Sequence, residues 1–151
     1  MDKIDGMIDV GEKQKTRREA TCKSVVKLNS EIIEMILTDK LPKGNVLEFA
    51  RAAGIMAGKK TFDFIPLCHS IEIEQITVKF DIIESRSEII VYATAKTTAK
   101  TGVEMEAMVA CNIAALTIYD MCKMFSKEIE VGNSYLLEKT GGKSGHYVRE
   151  I

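Results

Sequence analysis

Polar and apolar positions alternate in two rhythms along this chain, and the switches between them mark its elements. From Thr21 to Leu28 the period is two. Cys22, Ser24, Val26 and Leu28 fall on one side and Lys23, Val25 and Lys27 on the other, the pattern of a half-buried strand. The period then lengthens. Ser30 is placed to cap a helix over 31–38 with Ile33, Ile36 and Leu37 as its stripe, and Leu41-Pro42-Lys43-Gly44 breaks it. A second helix opens at Asn45, with Glu48 three residues on as capping partner. Its stripe is Val46, Phe49, Ala50, Ala53, Met56 and Ala57, and Lys59 and Lys60 suit its negative C-terminal end. After a loop over 63–70, period two returns in 71–83 and 88–98, joined by the polar turn Glu84-Ser85-Arg86-Ser87. That predicts a hairpin. A loop over 99–102 leads to a long helix over 104–126, a last strand over 129–138, and a tail carrying GGKSG at 141–145.

The order is β-α-α-β-β-α-β. Without the extra helix it is β-α-β-β-α-β, which predicts a ferredoxin-like α+β fold, an antiparallel sheet with helices on one face. Residues 1–20 are charged and aperiodic and read as a mobile N-terminal arm, with 21–151 as one domain. The long helix carries the most information. From Ala107 to Tyr119 it reads AMVACNIAALTIY, apolar nearly all the way round, and such a helix is buried on every side. A chain of 151 residues has too little mass to cover it twice. Its outer face is therefore expected to meet another subunit.

Composition excludes several classes. Net charge is −1, so no global basic field draws the chain to nucleic acid or to a membrane surface. No Trp, five Phe and four Tyr leave little for base stacking. Residues 1–20 lack the apolar core of a secretory signal, and no apolar run reaches the ~18–20 residues of a membrane span. Cys22, Cys68, Cys111 and Cys122 form no C-x-x-C pair, which suits a reducing cytoplasm with free thiols.

Candidate chemistry brackets the long helix. Glu104 and Glu106 stand at its start, and Asp120 and Lys123 stand three residues apart at its end, on one face. A carboxylate beside an ammonium stays ionised and accepts a proton, and the lysine steadies a developing anion. An ordinary surface ion pair has the same spacing. Cys68-His69, after Pro66, admits three readings: metal ligand, thiol nucleophile, or anion-recognising His. Zinc needs three or four ligands and the other His is His146, and adjacent Cys and His rarely point at each other. GGKSG fails as a P-loop because its spacing puts Leu137 where the first glycine belongs. Its glycines still free backbone N–H groups for an anion, with Lys143 adding charge. Lys43 lies in a similar loop beside Gly44, and Arg17 and Arg18 in the arm read as surface charges.

LPKGNVLEFARAAGIMAGKKTFDFIPLCHSI (41–71), KTGVEMEAMVACNIAALTIYDMCK (100–123) and GGKSG (141–145) together resemble the MoaC family, the cyclic pyranopterin monophosphate synthases of molybdenum-cofactor biosynthesis. MIDVGEKQKTRREA (7–20) looks like that family's N-terminal arm. The resemblance implies a lyase that rearranges a cyclised dihydro-GTP, supplied by a radical-SAM enzyme, into cyclic pyranopterin monophosphate with loss of pyrophosphate. It implies Asp120 as acid/base with Lys123 as its partner, and Lys43 as a second catalytic lysine. Leu67, Cys68 and His69 form one substrate-binding strip, Met105 and Glu106 another, and Lys143 and Arg18 contact phosphate. It also implies a hexamer built as a trimer of dimers, with the site at the dimer interface. No metal site is implied; Mg²⁺ is compatible with a triphosphate, although no acidic cluster specifies it. Two rivals use the same residues: a nucleotide-sensing ferredoxin-like oligomer without catalysis, and a thiol hydrolase built on Cys68.

Overall fold

The central strand starts earlier than the apolar alternation suggests. In a computed structural model that describes residues 2–151, β1 runs Thr16–Lys27, so the arm ends at residue 15 rather than 20. The inward-facing row is Arg18, Ala20, Cys22, Ser24 and Val26, all buried. Arg18 conceals the pattern in sequence because it is a charged residue in a core-facing position. The remaining strands are β2 (Gln75–Ile83), β3 (Glu88–Ala99), β4 (Glu130–Thr140) and β5 (Tyr147–Val148). They form one antiparallel sheet in the order β2-β3-β1-β4-β5. Its first four strands have the ferredoxin-like order. β5, which pairs Val148 with Glu138, is too short to have left a period in the sequence.

The helices are α1 (Ser30–Leu37), α2 (Val46–Gly58), α3 (Thr61–Phe64) and α4 (Glu104–Cys122). Asn29, not Ser30, caps α1, its side chain accepting from the Ile32 N–H at 2.9 Å. Asn45 caps α2 in the same way through the Glu48 N–H. The hairpin turns at Glu84–Arg86 with Ser87 in the left-handed region. Ile71 and Ile73 pack on the core but precede β2. The stripe of α2 is rotated from the expected one. Val46, Ala50, Gly54, Ala57 and Gly58 are buried, while Phe49 and Met56 are exposed. This side of α2 faces α4, and the approach is close because the contact residues are small. A Cβ added at Gly54 would lie 2.8 Å from the Ala110 carbonyl oxygen.

α4 packs on β1, β3 and β4 and on α2. By length and composition it is apolar enough to cross a membrane, with mean hydropathy 1.2 over an 18-residue stretch. Here it is instead the core helix: Ala107, Ala110, Cys111, Ala114, Ala115 and Ile118 are fully buried. Its charged ends, Glu104, Glu106 and Asp120, kept it from reading as an apolar run. It stops at Cys122, four residues before the expected end, with Lys123 as C-cap. The rest of the circumference is uncovered within one chain: Met105 and Leu116 are exposed, as are Met124 and Phe125 just beyond.

Candidate active site

The two ends of α4 carry different chemistry. At its C-terminus, Lys123 donates to Asp120 Oδ1 at 2.9 Å across one helical turn. Lys43 reaches the same group from the loop between α1 and α2. Buried Leu41 anchors that loop, and it turns back through the Gly44 N–H to Leu41 carbonyl bond of 3.0 Å. Lys43 Nζ lies 3.6 Å from Asp120 Oδ2 and donates to the Asp120 backbone carbonyl at 3.2 Å. A carboxylate alone at the negative end of a helix would be disfavoured, and the two ammonium groups reverse that. The Lys123 hydrogen bond first, then the charges of Lys123 and Lys43, hold the Asp120 carboxyl below its ordinary range. Asp120 in turn holds the Lys123 ammonium above its own. All three side chains face solvent. Two cations around one fixed anion leave a local surplus of positive charge for a ligand.

At the N-terminus of α4, Glu106 is 5% exposed, and burial pushes its pKa up to about 7, with the charge of Glu104 adding to the rise. Burial and the neighbouring Glu106 likewise raise the Cys68 thiol. A thiol held protonated is a poor nucleophile, which counts against the hydrolase reading of Cys68. Its partner in sequence, His69, makes a 2.7 Å hydrogen bond between Nε2 and the Ile8 carbonyl. Leu67 is exposed in the turn after α3, and Met105 is 37% exposed on the outer face of α4.

Glu104 is paired with Lys139 of β4 at 2.5 Å. Burial pushes this carboxyl up, but the Lys139 hydrogen bond and the charges of Lys139 and Arg18 leave it below its ordinary value. Lys139 was not legible as a site residue, because it lies beyond the expected strand end at 138 and the register shift between Thr21 and Cys22 puts it, opposite Ala20, on the same face as Leu136. Arg18, 7% exposed, donates to the Ala99 carbonyl at 3.1 Å and the Lys100 carbonyl at 3.4 Å. The GGKSG loop lies directly on it. Gly142 has φ 78°, and a Cβ there would come within 2.2 Å of an Arg18 guanidinium nitrogen, so any other residue would be strained and would push the guanidinium aside. Arg18, Lys13, Thr16, Gly142 and Lys143 line a cavity of about 580 Å³. The Thr16 hydroxyl is buried there without a hydrogen-bond partner.

The structure thus brings Asp120, Lys123 and Lys43 together, and Cys68 with Glu106, and Arg18 with Lys143. It does not bring the first group to the second within one chain. α4 is continuous from Glu104 to Cys122, and the fourteen residues from Glu106 to Asp120 span about 21 Å at 1.5 Å each. Among the described residues no group of three His, Cys, Asp or Glu side chains is arranged to hold a metal. A Mg²⁺ ion accompanying a triphosphate would be held by the phosphate oxygens.

Separated sets of cations, one with a fixed carboxylate in its midst, stand on a ferredoxin-like α+β fold. The chain belongs to the MoaC family, which it matches over residues 7–142. It is 49% identical over 144 residues to the cyclic pyranopterin monophosphate synthase of Peptoclostridium acidaminophilum, covering 95% of this chain and 90% of that one. The proteins of the same name from Heliobacterium modesticaldum (48% identical, 95% and 91% covered) and Magnetococcus marinus (47%, 95% and 88%) are similar to it over the same length.

Proposed function

We propose that this chain is a cyclic pyranopterin monophosphate synthase. It rearranges the cyclised dihydro-GTP intermediate, 3',8-cyclo-7,8-dihydroguanosine 5'-triphosphate, into cyclic pyranopterin monophosphate with release of pyrophosphate. This phosphorus–oxygen lyase reaction is an early step of molybdenum cofactor (molybdopterin) biosynthesis, fed by a radical-SAM enzyme. The observation that carries the reading is Asp120 fixed between Lys43 and Lys123 in a chain about half identical to synthases along nearly its whole length. Closing the cyclic phosphate makes one O–P bond and breaks another. A hydroxyl oxygen of the substrate attacks the innermost phosphorus, its proton goes to a base, and pyrophosphate leaves with the bonding electrons. Asp120 is the group suited to the proton and Lys43 and Lys123 to the charge of the leaving pyrophosphate. His69, Leu67, Cys68, Met105 and Glu106 bind the substrate, and Arg18 and Lys143 its phosphates. A non-catalytic nucleotide sensor accounts for the lysines but not for a carboxylate held between them beside an anion.

The working unit in this reading is a homo-oligomer, a hexamer built as a trimer of dimers, in the cytoplasm. An isologous dimer pairs one subunit's Glu106 end with the other's Asp120 end, which brings within reach of one substrate groups that a single α4 holds about 21 Å apart. The uncovered apolar side chains Met105, Leu116, Met124 and Phe125 supply the contact surface. The test is Asp120→Asn, which keeps the shape and removes the proton acceptor. Pyrophosphate release from the cyclised dihydro-GTP should fall ~10²–10⁴-fold with substrate affinity retained. A variant keeping more than about a tenth of the rate refutes Asp120 as the base.

A further inference from the structure

The segment before β1 crosses the body of the protein, and few contacts hold it. Of residues 2–15, all but Gly6 and Val10 are exposed. Among the described residues two hydrogen bonds tie this segment to the rest of the chain. One joins His69 Nε2 to the Ile8 carbonyl at 2.7 Å, and the other runs from Lys100 Nζ to the Gly11 carbonyl at 2.9 Å. Its internal bonds make a compact turn: the Gly11 N–H donates to Asp9 Oδ1 at 2.8 Å and the Lys13 N–H to the Val10 carbonyl at 3.1 Å. Val10, Lys15, His69, Glu72 and Lys100 share a cavity of about 230 Å³. Residues 12–14 and Thr16 then wall the Arg18–Lys143 cavity. One short strap therefore borders both basic cavities.

Its two anchors are donors on side chains suited to an anion. An imidazole and an ammonium, each facing a cavity, are here satisfied by neutral carbonyl oxygens. A phosphate oxygen offers the same geometry with a full negative charge, which adds to the bond a Coulomb attraction that a neutral carbonyl lacks. His69 Nε2 carries one N–H and cannot serve the Ile8 carbonyl and a phosphate at once, while a phosphate drawing the three-donor Lys100 ammonium toward itself pulls it off the Gly11 carbonyl. We infer that residues 8–11 are a displaceable strap over an anion subsite made by His69 and Lys100, and that an incoming phosphate chain takes both donors from it. Lys100 is thereby a phosphate-binding residue, and the arm is a gate that opens on binding. The inference rests on His69 recognising the substrate, as proposed above.

The experiment uses full-length protein and inorganic tripolyphosphate as the probe. Adding the probe should speed amide exchange across residues 8–13 and speed tryptic cleavage after Lys13 and Lys15. Val10→Ser weakens the one side chain that seats the strap and leaves both donors in place. Since apparent Kd is the intrinsic Kd divided by the open fraction, a strap closed about nine-tenths of the time predicts tripolyphosphate binding up to roughly tenfold tighter in this variant. Lys100→Met should do two things: speed exchange in the strap without ligand, and weaken tripolyphosphate binding. Exchange that slows on adding the probe would mean that the strap closes over the ligand, and the inference is overturned. Unchanged or weaker binding by Val10→Ser overturns it too. Because binding is read without turnover, a failure here is separable from a failure of the proposed reaction, which shows in pyrophosphate release.

Discussion

Glu106 should set a pH dependence of stability that one amide substitution removes. Its carboxyl is buried at the start of α4 and has its pKa raised from 4.5 to about 7. In the unfolded chain it ionises near 4.5, so between the two values the native state binds more protons than the unfolded state. The favourable contribution of the protonated form is full below 4.5 and is lost as pH rises through 7. Raising the pKa from 4.5 to about 7 corresponds to ~3 kcal/mol between the two limits at 1.36 kcal/mol per pH unit. Glu106→Gln holds a neutral isostere at every pH. At pH 8.5 the variant should be the more stable by up to ~3 kcal/mol, which is roughly 2–4 °C in Tm per kcal/mol for a domain of this size. At pH 4 the two proteins should differ little. Urea unfolding of both across pH 4–9 gives the difference curve directly. If the wild-type and variant curves stay parallel from pH 4.5 to 7.5, Glu106 does not titrate in this window and the burial argument is wrong.

Other outcomes follow from the same geometry. Lys43→Ala should lower kcat and His69→Ala should act on KM, because a lysine beside the leaving group stabilises developing charge whereas a recognition His binds ground and transition states alike. Equal loss of kcat in both would refute the division, and Cys68→Ser should stay substantially active in the same assay. Refolding Glu106→Ala together with Asp120→Ala should recover about a quarter of wild-type activity, since half the dimers are mixed and each holds one intact site of two. Confirmed subunit exchange without recovery would mean that the two residues serve sites within one chain. Gly54→Ala should destabilise by ~1–3 kcal/mol in thermal or urea unfolding, because its methyl meets the Ala110 carbonyl with no flexible side chain to yield. A neutral effect would show that α2 and α4 are loosely packed.

Much of the molecule is legible in the order of its residues. Period-two runs and the Asn45 cap are local properties, so β3, the hairpin turn and the start of α4 emerge within a residue or so. The Asp120–Lys123 pair is equally local, one turn apart on a helix. Spacing alone left that pair indistinguishable from an ordinary surface contact. What separates it is Lys43, 77 residues away, brought there by the packing of α2 on α4. The rotated face of α2 has the same origin, since the partner helix selects small residues over the larger apolar ones beside them. Arg18 reads as a surface charge until β1 turns it inward under Gly142, and Lys139 lies beyond the expected last strand until pairing with Ala20 extends that strand. Sequence by itself determined the four longer strands, the three longer helices and which charged residues stand at each end of α4. Only the tertiary structure decided which distant cations meet which carboxylate, because long-range contacts depend on packing and register that no local pattern carries.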